Sequence, residues 1–200
     1  VFSNKLSFTI TTIGFSNNIV YRNKAKINDD IYVSGNLGDS YAGLLILKKD
    51  IKVSNLLKNY FTDRYYKPNV PLKLVEKIKD FANTSIDISD GLFTDLDKMI
   101  NSQNLSYKIE LKNIPISNNL GTILELKNLS KINYISQGDD YQVLFTAQKN
   151  KRKIISKVSS DSGVKLTRIG SIHGSNKKSR ILNDKNMQIS LKNKGYFHMF

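Results

Sequence analysis

The residues best suited to chemistry lie together between positions 84 and 92, in the sequence TSIDISDGL. Alternation of polar residues and isoleucines predicts a short strand here, whose pleat would place Asp87 and Ser89 on one face. A helix is expected from Gly91 to Ile100, with Ser89 as its N-cap and Asp90 in its first turn. The pattern therefore predicts that two carboxylates, those of Asp87 and Asp90, meet where a strand becomes a helix.

Two carboxylates at close range repel each other unless a cation or a proton neutralises them. Mg²⁺ is a cation that carboxylates bind, and it commonly carries nucleotide phosphates with it. A structural interpretation is also open, in which Ser89 and Asp90 only cap the helix and Asp87 is solvated. Spacing alone does not separate these two interpretations.

Two further stretches are candidates for a cleft. Residues 138–140, GDD, precede a strand expected from Tyr141 to Thr146, and they would either present carboxylates or form a plain acidic turn. Residues 35–40, GNLGDS, form a glycine-rich turn whose N–H groups would either bind phosphate or close a packing turn. This turn lacks the Lys-Ser/Thr ending of a P-loop. His173 and His198 show no ligand spacing and are expected to be structural or exposed.

The elements that must position these loops alternate along the chain. Strands are predicted at 6–13, 31–34, 85–88, 106–111, 141–146 and 164–172, and helices at 41–47, 51–61, 72–82, 91–100 and 151–159. One further helix is expected within 112–131. Mixed strands and helices of this kind indicate an α/β or α+β domain.

Composition narrows the class of protein further. The 200 residues are 40% hydrophobic and 24% charged, which is typical of a globular chain, and they include no cysteine. The lack of cysteine excludes disulfides, thiolate metal sites and cysteine nucleophiles, and it suits a reducing, cytoplasmic location. No apolar run approaches the ~18 residues of a membrane span, so no membrane association is expected.

The net charge of +14 raises nucleic acid as a partner. Readers of phosphates and bases rely on arginine for bidentate contacts. Only five of the 31 basic residues are arginines, and the lysines are spread along the chain. The distribution therefore does not favour a nucleic-acid partner.

Residues 87–92, DISDGL, with Asp95 and Leu96 after them, resemble the hallmark motif of thiamine-monophosphate kinase. This family belongs to the aminoimidazole-ribonucleotide-synthetase-like superfamily. Other segments resemble the family's motifs in the same order and spacing. They are 22–35 (RNKAKINDDIYVSG), 37–44 (LGDSYAGL), 137–146 (QGDDYQVLFT), 169–170 (IG) and 194–196 (KGY) with His198. The resemblance covers nearly all of the chain.

The resemblance implies ATP- and Mg²⁺-dependent phosphorylation of thiamine monophosphate to thiamine diphosphate, a step of thiamine diphosphate biosynthesis. The residues that it assigns are Asp87 and Asp90 for Mg²⁺, Arg22 and Ser89 for ATP, and Asp139 and Tyr196 for the thiamine substrate. Asp139 stands where the family usually has glutamate, so its carboxylate reaches one methylene less. The alternative function is that of a non-catalytic remnant or nucleotide-binding domain of the same fold.

The resemblance also implies the architecture, an α/β (α+β) domain with a mixed sheet flanked by helices. Members of the family carry an N-terminal domain with a Gly-Asp-Asp metal motif, which nothing in this sequence matches. Residues 1–200 are therefore expected to be the C-terminal domain, with residues 1–14 forming a strand that continues from the absent N-terminal domain. The expected partners are thiamine monophosphate, ATP, and either a separate N-terminal chain or a second copy in a homodimer.

Overall fold

The strands of the protein form one sheet, seen in a computed structural model that describes residues 8–16, 18–191 and 195. The strands are β1 (Asp30–Ser34), β2 (Ala82–Asp87), β3 (Leu105–Glu110), β4 (Val143–Ala147), β5 (Leu166–Gly174), β6 (Arg180–Leu182) and β7 (Gln188–Ile189). The helices are α1 (Asp39–Leu47), α2 (Asn55–Tyr66), α3 (Leu72–Ile78), α4 (Leu92–Met99), α5 (Asn118–Leu126), α6 (Lys131–Ile135) and α7 (Arg152–Ser162). Two single-turn 3₁₀ helices cover Leu111–Asn113 and Lys149–Lys151.

The seven strands are ordered β2-β4-β1-β5-β3-β6-β7. All neighbouring pairs are antiparallel except β3 and β6, which are parallel, so the sheet is mixed. Strand β1 lies inside the sheet, where Tyr32 is paired with Phe145 of β4 and with Arg168 of β5. The predicted α/β (α+β) class and mixed sheet are confirmed.

Both faces of the sheet are covered because alternate residues of β1 enter different cores. Ile31 and Val33 point into a core that includes the buried side of α4, whose members are Leu92, Phe93, Leu96 and Met99. Tyr32 points the other way, stacks on Phe145 with ring centroids 5.2 Å apart, and joins Leu74 of α3 and Ile155 of α7. The predicted flanking of the sheet by helices is confirmed.

A third core lies among α1, α2, α5 and α6, beside the sheet. Its buried members include Ala42, Phe61, Leu120 and Tyr134. Helices α1 and α2 approach each other closely, because a β-carbon at Gly43 would overlap the backbone carbonyl oxygen of Phe61. This core fixes the start of α1, which lies next to the candidate site.

The structure differs from the sequence expectations near the start of the chain and between residues 112 and 131. Residues 8–14 are not in a strand, and the side chains of Phe8, Ile10 and Ile13 are exposed, because no described strand lies alongside to pair with them. Residues 1–7 of that expected strand lie outside the described residues. The region 112–131 contains α5 and the first residue of α6, where the sequence predicts one helix.

None of the described helices combines the length and the apolar character that crossing a membrane requires.

Candidate functional site

The loop that joins β2 to α4, residues 88–91, is held by one buried carboxylate. Oδ2 of Asp95 accepts hydrogen bonds from the N–H groups of Ser89 (3.0 Å), Asp90 (2.9 Å) and Gly91 (3.0 Å). The expectation that Ser89 caps the helix is therefore wrong, because α4 begins at Leu92 after Gly91 and has no side-chain N-cap bond. Asp95, in the first turn of α4, reaches back and accepts hydrogen bonds from the N–H groups of the three residues just before the helix.

The two predicted metal ligands differ in their surroundings. Asp87 ends β2, and its side chain is 50% exposed. The carboxylate of Asp90 forms an ion pair with Lys98, whose Nζ also lies 3.2 Å from Oδ1 of Asp95. The hydrogen bond to Asp90 raises the pKa of the Lys98 ammonium, so Lys98 is positively charged at neutral pH. The negative charge of Asp90 is therefore already paired with the Lys98 ammonium group.

Arg22, which the resemblance assigns to ATP, lies at the exposed end of β2. Its Nη2 is 3.9 Å from Oδ1 of Asp87, and 60% of its side chain is exposed. The preceding residue is tied to the edge strand, because the Thr84 hydroxyl donates to the carbonyl of Tyr21 at 2.7 Å. The fold therefore brings a guanidinium from far along the chain to the predicted metal carboxylate, with both groups open to solvent.

A second loop, residues 138–142, is fastened directly to the 88–91 loop. The N–H of Asp139 donates to the carbonyl of Ser89 at 3.0 Å, and the N–H of Tyr141 donates to that of Ile88 at 2.9 Å. A β-carbon at Gly138 would overlap the carbonyl oxygen of Ser89, so only glycine permits this approach. Asp139 and Tyr141 both have positive φ, 66° and 50°, a conformation that non-glycine residues adopt only where the surroundings impose it.

The carboxylates of the two loops share one electrostatic environment. Partial burial raises the pKa of Asp139, and the negative charge of Asp90 raises it further. Burial likewise raises the pKa of the Tyr141 hydroxyl, followed by the charges of Asp139, Asp87 and Asp90. Tyr141 is 40% exposed, so its ring borders a solvent-accessible acidic region. Asp139, the first aspartate of the GDD sequence, is therefore close enough to Asp90 of the DISDGL sequence for their charges to interact.

The second Asp of the GDD sequence has a different role. Asp140 is buried, and its Oδ2 accepts a hydrogen bond from the N–H of Gly38 at 2.8 Å. Burial raises the pKa of Asp140 to about 8, although hydrogen bonds from the backbone at Gly38 and Ser40 favour the ionised form. The glycine-rich turn before α1 therefore gives the Gly38 N–H to an internal carboxyl group, and the packing interpretation of this turn is the one that the contacts support.

The chemistry of the donors suits Mg²⁺ in part. Asp87 and Asp90 supply two hard oxygen ligands, and Mg²⁺ is commonly held by one or two carboxylates together with phosphate oxygens. Within residues 8–16, 18–191 and 195, no three Asp, Glu, His or Cys side chains form a metal-binding group. Lys98 occupies one oxygen of the Asp90 carboxylate, Oδ2, and so competes with a metal for that atom. These residues therefore fit a metal site that is completed by other ligands.

Of the predicted site residues, the structure gathers Arg22, Asp87, Ser89, Asp90 and Asp139 around the two loops. Tyr196 lies outside the described residues. Its neighbour Gly195 is described, and a β-carbon there would overlap the carbonyl oxygen of Asp90, so the chain returns to the 88–91 loop at that point.

Sequence reasoning missed the roles of three residues, Asp95, Lys98 and Tyr141. Asp95 stands inside the DISDGL-containing motif, and Lys98 follows it by three residues, a spacing at which helical side chains meet. Those spacings were available signals for an ion pair. The position of Tyr141 beside three acids comes from tertiary structure, since it depends on the pairing of two loops 50 residues apart.

A scan against protein-family models finds no match. Among curated proteins, thiamine-monophosphate kinase of Buchnera aphidicola subsp. Acyrthosiphon pisum (strain APS) is 36% identical over 162 residues, covering 76% of this chain and 49% of that protein. The thiamine-monophosphate kinase of Buchnera aphidicola subsp. Schizaphis graminum (strain Sg) is 32% identical over 200 residues, covering 98% of this chain and 61% of that protein.

Among solved structures, AaThiL complexed with AMPPCP and TMP matches with a TM-score of 0.71 and 28% identity, covering 89% of this chain and 54% of that one. The chain thus spans about half the length of the relatives it matches. It has the aminoimidazole-ribonucleotide-synthetase-like fold. By sequence and by fold, the chain is therefore a relative of the thiamine-monophosphate kinases and corresponds to their C-terminal part.

Proposed function

We propose that this chain provides the nucleotide-binding C-terminal part of a thiamine-monophosphate kinase, a cytoplasmic enzyme that transfers the γ-phosphoryl group of ATP to thiamine monophosphate. The products are ADP and thiamine diphosphate. The observation that supports the proposal is the convergence of Arg22, Asp87, Asp90 and Asp139 on two loops fastened to each other. The similarity to a kinase solved with AMPPCP and TMP agrees with it.

The basic residue would bind the phosphates of ATP, and the acidic residues would bind the metal ion. Arg22, whose side chain is exposed and lies 3.9 Å from Asp87, would bind ATP phosphates. The Ser89 hydroxyl would contact ATP, and Asp87 and Asp90 would hold Mg²⁺. The metal, when bound, would neutralise charge on the phosphate oxygens. Charge neutralisation and alignment supply most of the catalysis that phosphoryl transfer needs.

The thiamine substrate would lie on the side of the 138–142 loop. Thiamine carries a cationic heterocycle, which an ionised carboxylate attracts and an aromatic ring face can stack on. Asp139 supplies the carboxylate, and the half-exposed ring of Tyr141 lies beside it. Tyr196 is proposed to pack on the same substrate. The acceptor would thus approach the nucleotide from the neighbouring loop.

Catalysis would require more than these residues. The chain spans about half of its relatives' length, and its described part holds two candidate Mg²⁺ ligands, Asp87 at the end of β2 and Asp90 on the 88–91 loop. We therefore propose that additional ligands come from an N-terminal part, supplied either by a separate chain or within a homodimer. The chain alone would bind Mg²⁺–ATP weakly and would turn over thiamine monophosphate at a negligible rate.

Isothermal titration calorimetry of the purified chain with ATP tests the metal assignment. With Mg²⁺ present, Asp87→Asn should weaken ATP binding at least about tenfold, because a charged metal ligand is lost. Without Mg²⁺ the same substitution should leave ATP affinity equal or higher, because it removes a negative charge near the phosphates. Asp161→Asn, an exposed aspartate on α7, makes the same charge change away from the loops and serves as the control.

Equal ATP affinity for wild type and Asp87→Asn, with and without Mg²⁺, would show that Asp87 is not a metal ligand. A separate assay addresses turnover. Robust thiamine diphosphate formation by the isolated 200-residue chain would overturn the requirement for an N-terminal part.

The alternative of a non-catalytic nucleotide-binding domain is favoured by one observation, the incomplete ligand set around the 88–91 loop. It predicts Mg²⁺-dependent ATP binding but no thiamine diphosphate formation even when the N-terminal half of a relative is added. Restored turnover in that mixture would exclude this alternative.

A further inference from the structure

We propose that Asp95 is a positioning residue, which sets the conformation of the 88–91 loop before ligand arrives and is required for Mg²⁺–nucleotide binding without touching the nucleotide. The inference rests on the proposed function for the identity of the ligand. The positioning itself rests on hydrogen bonds within the chain.

The carboxylate of Asp95 gathers three consecutive backbone N–H groups at a single atom. Its Oδ2 lies 2.9–3.0 Å from the nitrogens of Ser89, Asp90 and Gly91, and the side chain is 1% exposed. Successive N–H groups that converge on one point form an anion-binding nest. Here the chain's own carboxylate fills that nest, so phosphate cannot use those N–H groups, and the side chains must do the binding.

The other oxygen of the same carboxylate controls a side chain. Oδ1 of Asp95 lies 3.2 Å from Nζ of Lys98, which in turn pairs with the carboxylate of Asp90. Asp95 therefore orients the proposed metal ligand twice, through the backbone N–H of Asp90 and through the cation that its side chain holds. When a metal takes the Asp90 carboxylate, Lys98 still has Asp95 as its partner.

The loop that carries those N–H groups is packed closely against neighbouring backbone. A β-carbon at Gly91 would overlap the carbonyl oxygen of Ser136, and one at Gly138 would overlap that of Ser89, so the loop lies directly against the 136–138 backbone. If the acceptor at Asp95 is weakened, three partly buried donors lose their partner and the loop must move to find another. Movement there displaces Ser89 and Asp90 together.

A purely structural cap would also make these bonds, so the test needs a readout that capping alone would not change. Asp95→Asn keeps the shape of the side chain but removes its charge and places an N–H₂ group where one oxygen stood. Asp97→Asn is the matched control, because it makes the same charge change on the same helix while its carboxylate faces Tyr107. Amide hydrogen exchange by NMR reports on the loop, and calorimetry with Mg²⁺ and AMPPCP reports on binding.

In Asp95→Asn we expect the amides of residues 89–91 to exchange at least about tenfold faster while amides of β1 are unchanged. The dissociation constant of Mg²⁺–AMPPCP should rise at least about tenfold. This constant is measured at a temperature well below the midpoint of thermal unfolding of the variant. Asp97→Asn should change both quantities less than about threefold. If Asp95→Asn does not fold, Asp95→Glu, which keeps the charge and moves the carboxylate by one methylene, should show the same two changes.

The proposal is overturned if the three amides stay as protected as in the wild type. It is also overturned if they lose protection while nucleotide affinity stays the same, since Asp95 would then be a structural cap alone. Failure of the proposed function has a different signature. In that case the wild-type chain itself binds no Mg²⁺–AMPPCP, whatever the amides of residues 89–91 do in the variant.

Discussion

At the scale of single residues, the pKa values of two solvent-inaccessible aspartates, Asp140 and Asp30, shift in opposite directions. Asp140 has backbone N–H partners but no cation among residues 8–16, 18–191 and 195, and burial raises its pKa to about 8. Asp30 is also inaccessible to solvent, but hydrogen bonds from Arg152 at 2.6 and 2.8 Å, helped by Arg168, outweigh its burial and lower its pKa. A cation within hydrogen-bond range favours the ionised form of a carboxyl group, and deep burial without one favours the protonated form.

The raised pKa of Asp140 makes stability decrease with rising pH. Between about pH 4 and pH 8 the folded state keeps this proton and the unfolded state releases it. The folding free energy should therefore weaken by up to about 1.4 kcal/mol per pH unit in this window and level off above it. In Asp140→Asn this contribution should vanish, so the difference between the wild-type and variant curves from urea unfolding should follow that slope. Parallel curves from pH 5 to pH 8 would contradict the buried, protonated form.

The lowered pKa of Asp30 has the reverse consequence. Its ion pairs stabilise the fold above the ordinary aspartate pKa, and that stability is lost as pH falls through the lower, folded-state value. Arg152→Met should cost about 1–2 kcal/mol at pH 7, a moderate figure because the arginine is half exposed, and should cost less near pH 3. Lys153→Met, its exposed neighbour, is the control and should change the unfolding free energy by less than about 0.5 kcal/mol. An equal loss at both pH values would contradict the charge-based account.

At the scale of elements, the site depends on how closely two loops approach. The 88–91 and 138–142 loops exchange backbone hydrogen bonds, and glycine is needed where they touch. Gly138→Ala should destabilise the protein by about 1–3 kcal/mol, because its methyl group would force the loops apart. It should also weaken Mg²⁺–ATP binding, since Ser89 and Asp139 would separate. Thermal unfolding and calorimetry measure these two effects.

Gly121→Ala is the matched control for that substitution. Gly121 lies inside α5, where an added methyl group finds its nearest neighbour at 3.9 Å. Alanine there should stabilise the protein by up to about 1 kcal/mol through helix propensity alone. If Gly138→Ala behaves like Gly121→Ala, the loops are not held at the distance described.

Sequence patterns predict the presence of strands and helices such as β2 and α4 better than they predict how each element begins. Helix α4 was expected from its apolar residues at 92, 96, 99 and 100, and strand β2 from its alternation, because local periodicity reports which side of an element is buried. The predicted cap of α4 is wrong, since the N–H groups of residues 89–91, just before the helix, bond to Asp95 inside it and Ser89 makes no cap bond. The alternation over residues 8–13 predicted a strand, but a strand also requires a neighbour, which periodicity does not report.

At the scale of the whole molecule, the net charge of +14 comes mostly from lysines spread along the chain, with five arginines among the 31 basic residues. Several basic side chains lie near His173 of β5. Burial lowers the pKa of this histidine, and the charges of Lys177, Arg180 and Lys108 lower it further. That imidazole is therefore neutral at pH 7. The charge should attract polyanions without recognising their sequence.

We therefore expect duplex DNA to bind at low salt and to dissociate steeply as salt rises, with two duplexes of unrelated sequence bound equally within about threefold. Binding of Mg²⁺–ATP should depend much less on salt, because a few short-range contacts carry it. Fluorescence anisotropy at 50 and 200 mM salt measures the DNA affinity. A preference above about tenfold for one duplex would indicate a nucleic-acid function instead.

The central place of β1 in the sheet has a consequence for biosynthesis. Its two neighbours, β4 and β5, end about 115 and 140 residues later in the chain, so β1 leaves the ribosome long before either partner exists. At ~5–20 residues per second, this delay is on the order of ten seconds. During that interval both edges of an apolar strand are unpaired, which is the condition under which nascent chains aggregate or recruit chaperones. The order of synthesis, more than the strength of any contact, should therefore limit how much folded protein a cell obtains from this sequence.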